Sequence, residues 1–171
     1  MKLVKKSDRI FIAGHKGMVG SAIKRSLEKK GYKNILVANK SSLDLMDYKS
    51  VSNWFESNKP EVAILAAAKV GGIEANFNFP FDFIFENLKI QTNVIECAWR
   101  NKIKRFLFLG SSCIYPKFAS QPIREESLLE GQLEKTNEWY AIAKIAGIKL
   151  CESLRIQYDF DAISLMPTNL Y

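Results

Sequence analysis

Short apolar runs alternate with longer amphipathic stretches along most of this chain. Short runs that are apolar throughout are typical of buried strands, and longer amphipathic stretches are typical of helices that cover a core with one face. The pattern predicts strands at residues 9–13, 34–38, 62–66, 105–110 and 161–166, and helices at residues 18–30, 47–58, 81–101 and 138–158.

Strands separated by helices in this way indicate an α/β fold. Parallel strands need crossover connections, and right-handed crossovers place helices on the sheet, so we expect a doubly wound parallel sheet (Rossmann fold) with helices on both faces. Such sheets bind ligands beyond the carboxyl ends of their strands. One cleft is therefore expected to include the loops that follow Ala13, Ala38, Ala66, Gly110 and Met166.

Composition narrows the class of protein. With 171 residues, 47% of them hydrophobic, the chain can bury one core, and we expect residues 1–171 to form a single domain. The net charge of +7 comes from scattered lysines, which indicates solubility rather than nucleic-acid binding. No signal peptide and no apolar run of about 20 residues is visible, so we expect a cytoplasmic protein without a membrane segment. Cys97, Cys113 and Cys151 are expected to be free thiols, with no metal site.

Three glycines mark the most informative segment. The sequence AGHKGMVG follows the first predicted strand and opens the first helix, with Gly14, Gly17 and Gly20 at the corner. Glycines at such a corner let a phosphate approach the N–H groups at the positive end of a helix, which predicts a dinucleotide site. The alternative is a tight turn that holds no ligand. The G-x-x-G-x-x-G spacing resembles the extended short-chain dehydrogenase/reductases.

The end of the second strand bears on the cofactor. Residues 37–40 contain no carboxylate for the ribose hydroxyls, but Lys40 and Lys16 can clamp a 2′-phosphate, which favours NADP. Otherwise both are solvated surface lysines. Asp44 and Leu45 are expected to border the adenine. His15, the only histidine, is expected to have a structural or phosphate-proximal role rather than an acid–base one.

A second group of residues suggests chemistry at the fourth strand. Tyr140 and Lys144 are four apart on a predicted helix and project from one face, where the ammonium group would favour the phenolate of Tyr140. Ser111, in GSSCIYP, can donate a hydrogen bond to a carbonyl oxygen, although the serines can also be turn residues. Cys113 is either a proton donor or acceptor, or a packing residue.

Five segments together carry a specific resemblance: FIAGHKGMVGSAI, LAAAKVGGI, FLGSSCIYPK, YAIAKIAGIKLCES and MPTNLY. They are similar to those of the GDP-L-fucose synthase family, from about Arg9 to the last residue. The resemblance implies epimerisation of GDP-4-keto-6-deoxy-D-mannose at carbons 3 and 5, followed by reduction of its 4-ketone with NADPH. Alternatives are another NAD(P)-dependent nucleotide-sugar epimerase or dehydratase, and a non-catalytic NADP-binding remnant.

The resemblance also assigns roles to residues. Ser111, Tyr140 and Lys144 form the reductase set, and Cys113 serves the epimerisation together with a histidine expected beyond residue 171. Lys144 bonds the nicotinamide ribose. The pyrophosphate is bound by Gly14, His15, Lys16, Gly17, Met18, Val19 and Gly20. The rest of the cofactor cleft consists of Leu109, Gly110, Ser111, Ser112, Pro167, Thr168, Asn169 and Leu170.

The end of the chain and its long helices raise further expectations. Because PTNLY directly follows the last predicted strand, we expect the C-terminal substrate domain to be absent and the chain to bind NADP without turnover. The resemblance implies a homodimer through the two helices that contain Cys97 and Cys151. The aromatic-rich residues 77–87 are expected to form a loop that packs onto the next helix, with a stacking platform as the alternative.

Overall fold

A five-stranded parallel sheet forms the centre of the structure, a computed structural model that describes residues 4–168 and residue 170. The strand order is β2-β1-β3-β4-β5. The strands are β1 (Ile10–Ala13), β2 (Ile35–Leu36), β3 (Val62–Leu65), β4 (Arg105–Leu109) and β5 (Ala162–Leu165). The helices are α1 (Met18–Lys29), α2 (Tyr48–Asn58), α3 (Ile73–Asn78), α4 (Pro80–Arg100) and α5 (Glu138–Tyr158).

The strand order creates a cleft. From β1 the chain moves outward to β2, then crosses back to β3 and continues in the opposite direction to β5. Ile10 pairs with Ile35 on one side and with Val62 on the other, so the direction reverses between β1 and β3. Ligands of doubly wound sheets bind at such a reversal, outside the carboxyl ends of the strands.

Side chains alternate between the two faces of the sheet. Ile10 and Ile12 pack on one face with Ile23 and Leu27 of α1. The opposite face has the larger core, which includes Phe106 and Phe108 of β4 together with buried residues of α2, α4 and α5. Helices therefore cover both faces, and the predicted doubly wound fold is confirmed.

The α1 face is less fully covered at β4 and β5. Leu107 and Ile163 are paired across these strands and are only partly buried. Leu165, paired with Leu109, is 48% exposed. Among the described residues β5 is the last strand of the sheet, so an apolar strip and a strand edge are both accessible there.

Most predicted elements have nearly the predicted bounds, and the 138–158 helix has the same ones. α2 begins where expected because the Asp47 carboxylate caps it, accepting from the N–H groups of Lys49 and Ser50. The second strand was predicted too long. It ends at Leu36, and the carbonyl of Asn39 already accepts from Ser42 and Leu43 in a turn.

The predicted loop at residues 77–87 is wrong. Phe77 lies in α3 and α4 begins at Pro80, whose fixed φ suits the first position of a helix. Within this segment Phe83 is buried, whereas Phe77, Phe79, Phe81 and Phe85 are exposed. Phe81 and Phe85 stack on each other, with ring centroids 5.0 Å apart. The closely spaced phenylalanines of this segment therefore belong to the surfaces of two helices, not to a loop that packs onto the next helix.

The cysteines are free, with Cys97 and Cys151 buried and Cys113 partly buried. Cys97 and Cys151 belong to the core between the sheet, α4 and α5, so they are packing residues. None of the helices in the described part of the chain has the length and hydropathy needed to span a bilayer.

Candidate active site

The glycine corner connects β1 to α1 and requires residues without side chains. Gly14 has φ 89°, and a Cβ there would lie 2.6 Å from the backbone nitrogen of Ala67. A Cβ on Gly20 would collide with the carbonyl oxygen of Gly14. Gly17 donates to the same carbonyl at 3.0 Å, so the corner is folded tightly against the loop after β3.

The amino end of α1 is suited to an anion. Gly17 is the N-cap and offers no side-chain acceptor, and no acidic residue occupies the first turn. The free N–H groups and the positive end of the helix dipole are therefore left for a ligand. Met18 is 60% exposed at this end and Val19 is partly buried. The corner fits the pyrophosphate of a dinucleotide.

Positive charge surrounds the corner. Burial lowers the pKa of His15, and the charges of Lys16 and Lys24 lower it further. The single histidine is therefore neutral over most of the physiological range and unsuited to act as a strong acid. It lies beside the glycines, and its phosphate-proximal role stays a prediction.

The residues after β2 lie at the same edge of the sheet. Lys16 and Lys40 are both exposed, and neither forms an ion pair within residues 4–168 and 170. The Asp44 carboxylate accepts from the N–H of Met46 at 2.9 Å in a local turn. Leu45 packs against the core, and its carbonyl accepts from Asn93 at 3.0 Å. Two free cations and a fixed loop are thus available, and their contact with a 2′-phosphate stays a prediction.

The loops after β4 and β5 are bound to each other. The N–H of Gly110 donates to Leu165 at 2.7 Å, and that of Ser112 donates to Pro167 at 3.1 Å. Thr168 and Leu170 follow at the same end of β5, whereas Asn169 lies outside the described residues. The predicted cofactor residues of both loops therefore line one edge.

Ser111 and Cys113 share a short 3-10 turn at the end of β4. The Ser111 hydroxyl accepts from the N–H of Cys113 at 3.5 Å. Burial raises the pKa of the Cys113 thiol, although the hydrogen bond to Ser111 and the charge of Lys144 lower it in part. The thiol is thus mostly protonated at neutral pH, and it lies close to both Ser111 and Lys144.

Lys144 is held beneath this turn by α5. Its ammonium Nζ donates to the Leu109 carbonyl at 2.7 Å and lies 5.7 Å from the centroid of the Tyr140 ring. Because only 4% of the residue is exposed, burial lowers the pKa of Lys144 to about 8, against an opposing effect of Cys113. The four residues Ser111, Cys113, Tyr140 and Lys144 therefore gather at the carboxyl end of β4.

The expectation that the ammonium of Lys144 favours the phenolate is wrong for this arrangement. Burial, followed by the charge of Cys113, raises the pKa of Tyr140 to about 12. The amine is directed at the Leu109 carbonyl and does not offset that burial. Tyr140 is consequently a protonated phenol at neutral pH, which is the state required of a proton donor.

Two buried asparagines, which no sequence motif marked, hold the loop after β3. Asn87, 2% exposed, accepts from the N–H of Lys69 at 2.9 Å and donates to its carbonyl at 3.0 Å. Asn76 donates to the carbonyls of Gly71 and Gly72, both at 3.1 Å. The segment LAAAKVGGI contributed to the family resemblance and includes this loop. The partner of a buried asparagine on a distant helix cannot be predicted from a local sequence pattern.

The model of the NAD dependent epimerase/dehydratase family matches residues 10–171. The chain belongs to this family. Among curated members, "GDP-L-fucose synthase 1" of Arabidopsis thaliana is 60% identical over 97% of this chain and 51% of its own length. "GDP-L-fucose synthase" of Escherichia coli (strain K12) is 56% identical over 95% of this chain and 51% of its own length.

A solved structure has the same fold over nearly the whole of this chain. A GDP-mannoheptose C4 reductase from Campylobacter jejuni, solved with NADP bound, superposes with a TM-score of 0.95 at 40% identity. The superposition covers 98% of this chain and 53% of the reductase. The chain therefore spans about half the length of the epimerase/dehydratase family members it matches.

Proposed function

We propose that this chain is the NADP-binding portion of an enzyme that converts GDP-4-keto-6-deoxy-D-mannose to GDP-L-fucose by 3,5-epimerisation and NADPH-dependent reduction of the 4-ketone. The observation that carries the proposal is the gathering of Ser111, Cys113, Tyr140 and Lys144 at one strand end. It occurs in a chain that is 60% and 56% identical to two proteins named GDP-L-fucose synthase.

The glycine corner would hold the cofactor. Its N–H groups suit the pyrophosphate, and the lysines Lys16 and Lys40 suit the 2′-phosphate that distinguishes NADP from NAD. Lys144 would bond the nicotinamide ribose, since its Nζ lies at the end of β4. Bound NADPH would supply a hydride to the ketone.

The side chains would divide the remaining chemistry. Tyr140 is a protonated phenol and would donate its proton to the oxygen that becomes the new alcohol. Ser111 would donate a hydrogen bond to the same oxygen and stabilise its developing charge. A ketone acidifies the protons on its neighbouring carbons, and the Cys113 thiol, which lies close to Ser111 and Lys144, would exchange them.

The assembly and compartment form part of the proposal. The exposed faces of α4 and α5 include Phe81, Phe85 and Trp139, apolar surface suited to a homodimer interface. Free thiols at Cys97, Cys113 and Cys151 suit the reducing cytoplasm. The GDP-sugar would be bound mainly by the half of the relatives' length that this chain does not span.

A chimera tests the activity. This chain would replace the corresponding half of the Escherichia coli enzyme to which it is 56% identical, and conversion to GDP-L-fucose would be followed with NADPH. We expect the chimera to turn over, and Tyr140→Phe to lower the rate of hydride transfer by about 10²–10⁴-fold. Cys113→Ser should lower the rate of solvent deuterium uptake at carbons 3 and 5 more than it lowers the rate of hydride transfer.

Two controls accompany the chimera. The 171-residue chain alone should bind NADPH, seen by fluorescence, without forming GDP-L-fucose. Full activity of the chain alone would contradict the proposal. A folded chimera that binds NADPH but transfers no hydride would also contradict it, and would indicate a non-catalytic NADP-binding protein.

A second candidate is reduction of a GDP-heptose. It is favoured by the TM-score of 0.95 to the GDP-mannoheptose C4 reductase. The chimera would be offered 4-keto GDP-heptose in competition with GDP-4-keto-6-deoxy-D-mannose. A higher kcat/KM for the heptose would select this candidate.

A further inference from the structure

A buried amide lies behind the candidate catalytic residues. Gln91 is in the middle of α4 and only 3% exposed, in the interface between α4 and α5. Its Nε2 donates to the carbonyl of Ala143 in α5 at 2.6 Å. A short hydrogen bond between two helices in a buried interface is strong and directional.

The bonded carbonyl lies in the turn of α5 that carries the chemistry. Ala143 directly precedes Lys144 and follows Tyr140 by three positions. Residues 140, 143, 144 and 147 of a helix lie on one face, so all four are directed at α4 and β4. A rotation of α5 that broke the Gln91 bond would move Tyr140 and Lys144 with it.

Two further residues fix the same turn. A Cβ on Gly147 would lie 2.5 Å from Cζ of Phe108 and 2.9 Å from Oε1 of Gln91. Phe108 is fully buried, and the Nζ of Lys144 lies 4.9 Å from its ring centroid. Gln91 and Phe108 together form what we call the α5 seat, the surface against which Gly147 brings this helix one turn from the site.

We propose that Gln91 is a positioning residue: through Ala143 it sets the rotation and height of α5 and so holds Tyr140 and Lys144 at the end of β4. The inference rests on the proposed function, because it assumes that these two side chains act on a ligand. It extends that function to a residue that contacts neither cofactor nor substrate.

The protonation of Lys144 provides a local readout. The amine is surrounded by the Leu109 carbonyl, the Phe108 and Tyr140 rings and the Cys113 thiol, and its pKa is about 8 because it is buried. If the turn loosens, water reaches the amine and its pKa rises toward 10.5. General loss of stability elsewhere would not have this effect.

The test is an NMR titration of the 171-residue chain labelled with ¹³C at lysine Cε, with the Lys144 signal assigned from its loss in Lys144→Arg. We expect Gln91→Met, which has similar length and no donor, to raise the pKa of Lys144 by about one unit or more. Asn93→Leu is the matched control. Asn93 lies two residues after Gln91 in α4, and its buried amide donates to the carbonyl of Leu45. Removing this amide should leave the titration of Lys144 unchanged.

A measurement on the parent chain decides the question if Gln91→Met does not fold. The Nε2 protons of Gln91 should exchange with solvent far more slowly than those of the exposed Gln157. Equal exchange rates, or a Lys144 pKa that is the same in folded Gln91→Met and parent, would overturn the inference. NADPH binding is measured separately, so failure of the proposed function would show as absent binding while the Lys144 titration still responds to Gln91→Met.

Discussion

His15 is a reporter of what binds at the glycine corner. Burial and the charges of Lys16 and Lys24 lower its pKa, so an anion bound beside the ring would act in the opposite direction. The imidazole signals can be followed without assignment, because the chain has a single histidine.

We predict that NADP raises the pKa of His15 by about one unit, since a nearby anion favours the protonated ring. By linkage, NADP should bind more tightly as the pH falls through that pKa. The measurement is a ¹H NMR titration with and without NADP. An unchanged or lower pKa in the complex would show that the pyrophosphate binds elsewhere.

At the residue scale the sequence predicted which side chains lie together better than it predicted their pKa values. Ser111, Cys113, Tyr140 and Lys144 could be selected from spacing and resemblance. The direction in which the pKa of Tyr140 shifts could not be predicted, because it depends on how deeply the phenol is buried and on where the amine of Lys144 points. Burial depth is a tertiary property with no local pattern.

The corner between β1 and α1 allows a prediction about a whole element. In an ordinary exposed helix, Gly→Ala stabilises by about 1 kcal/mol. For Gly20→Ala we expect the opposite, a loss of about 1–3 kcal/mol in the free energy of unfolding, since the new Cβ meets the Gly14 carbonyl. Gly72→Ala is the control, because a Cβ there meets nothing within 4 Å. Urea unfolding followed by tryptophan fluorescence compares them, and a Gly20→Ala chain as stable as its parent would be inconsistent with this packing.

The loop after β3 depends on one side chain of α4. Asn87→Leu removes both hydrogen bonds to Lys69, and we expect a loss of about 1–3 kcal/mol together with faster amide exchange at Lys69. Hydrogen exchange measured by NMR locates the effect. Asn78→Ala, at an exposed position of α3, should leave exchange at Lys69 as it is in the parent. Similar exchange in parent and Asn87→Leu would mean that the loop is held by other contacts.

Element types were predictable where a long stretch contains few helix breakers. α5 has the predicted bounds because residues 138–158 contain no proline and a single glycine, and the left-handed Asp159, with φ 51°, ends the helix. The helix at Ile73–Asn78 was missed because two glycines precede it and Pro80 follows it, which is typical of a loop. β2 was shortened by a turn that depends on backbone hydrogen bonds rather than on apolar residues.

For the whole molecule, the buried amine of Lys144 makes stability depend on pH. Its pKa falls from 10.5 to about 8 on folding, so between these values the unfolded chain holds a proton that the folded chain has released. The free energy of unfolding contributed by Lys144 therefore rises with pH across this window, by up to about 3 kcal/mol.

Lys144→Met lacks this contribution. As the pH rises from 8 to 10.5, the free energy of unfolding of the parent should therefore increase relative to that of Lys144→Met. Cys97, Cys151 and Tyr140, whose pKa values are raised by burial, destabilise both proteins at high pH and largely cancel in the difference. Urea titrations at several pH values provide the measurement, and a difference that does not vary with pH would mean that the amine is hydrated in the folded chain.

The open flank of the sheet at β4 and β5 has a practical consequence. In the described part of the chain, the exposed Leu165 and the outer edge of β5 offer neighbouring molecules a template for intermolecular strand pairing. In concentrated samples, aggregation should begin at that flank. Leu165→Lys should therefore delay the rise in turbidity relative to the parent chain.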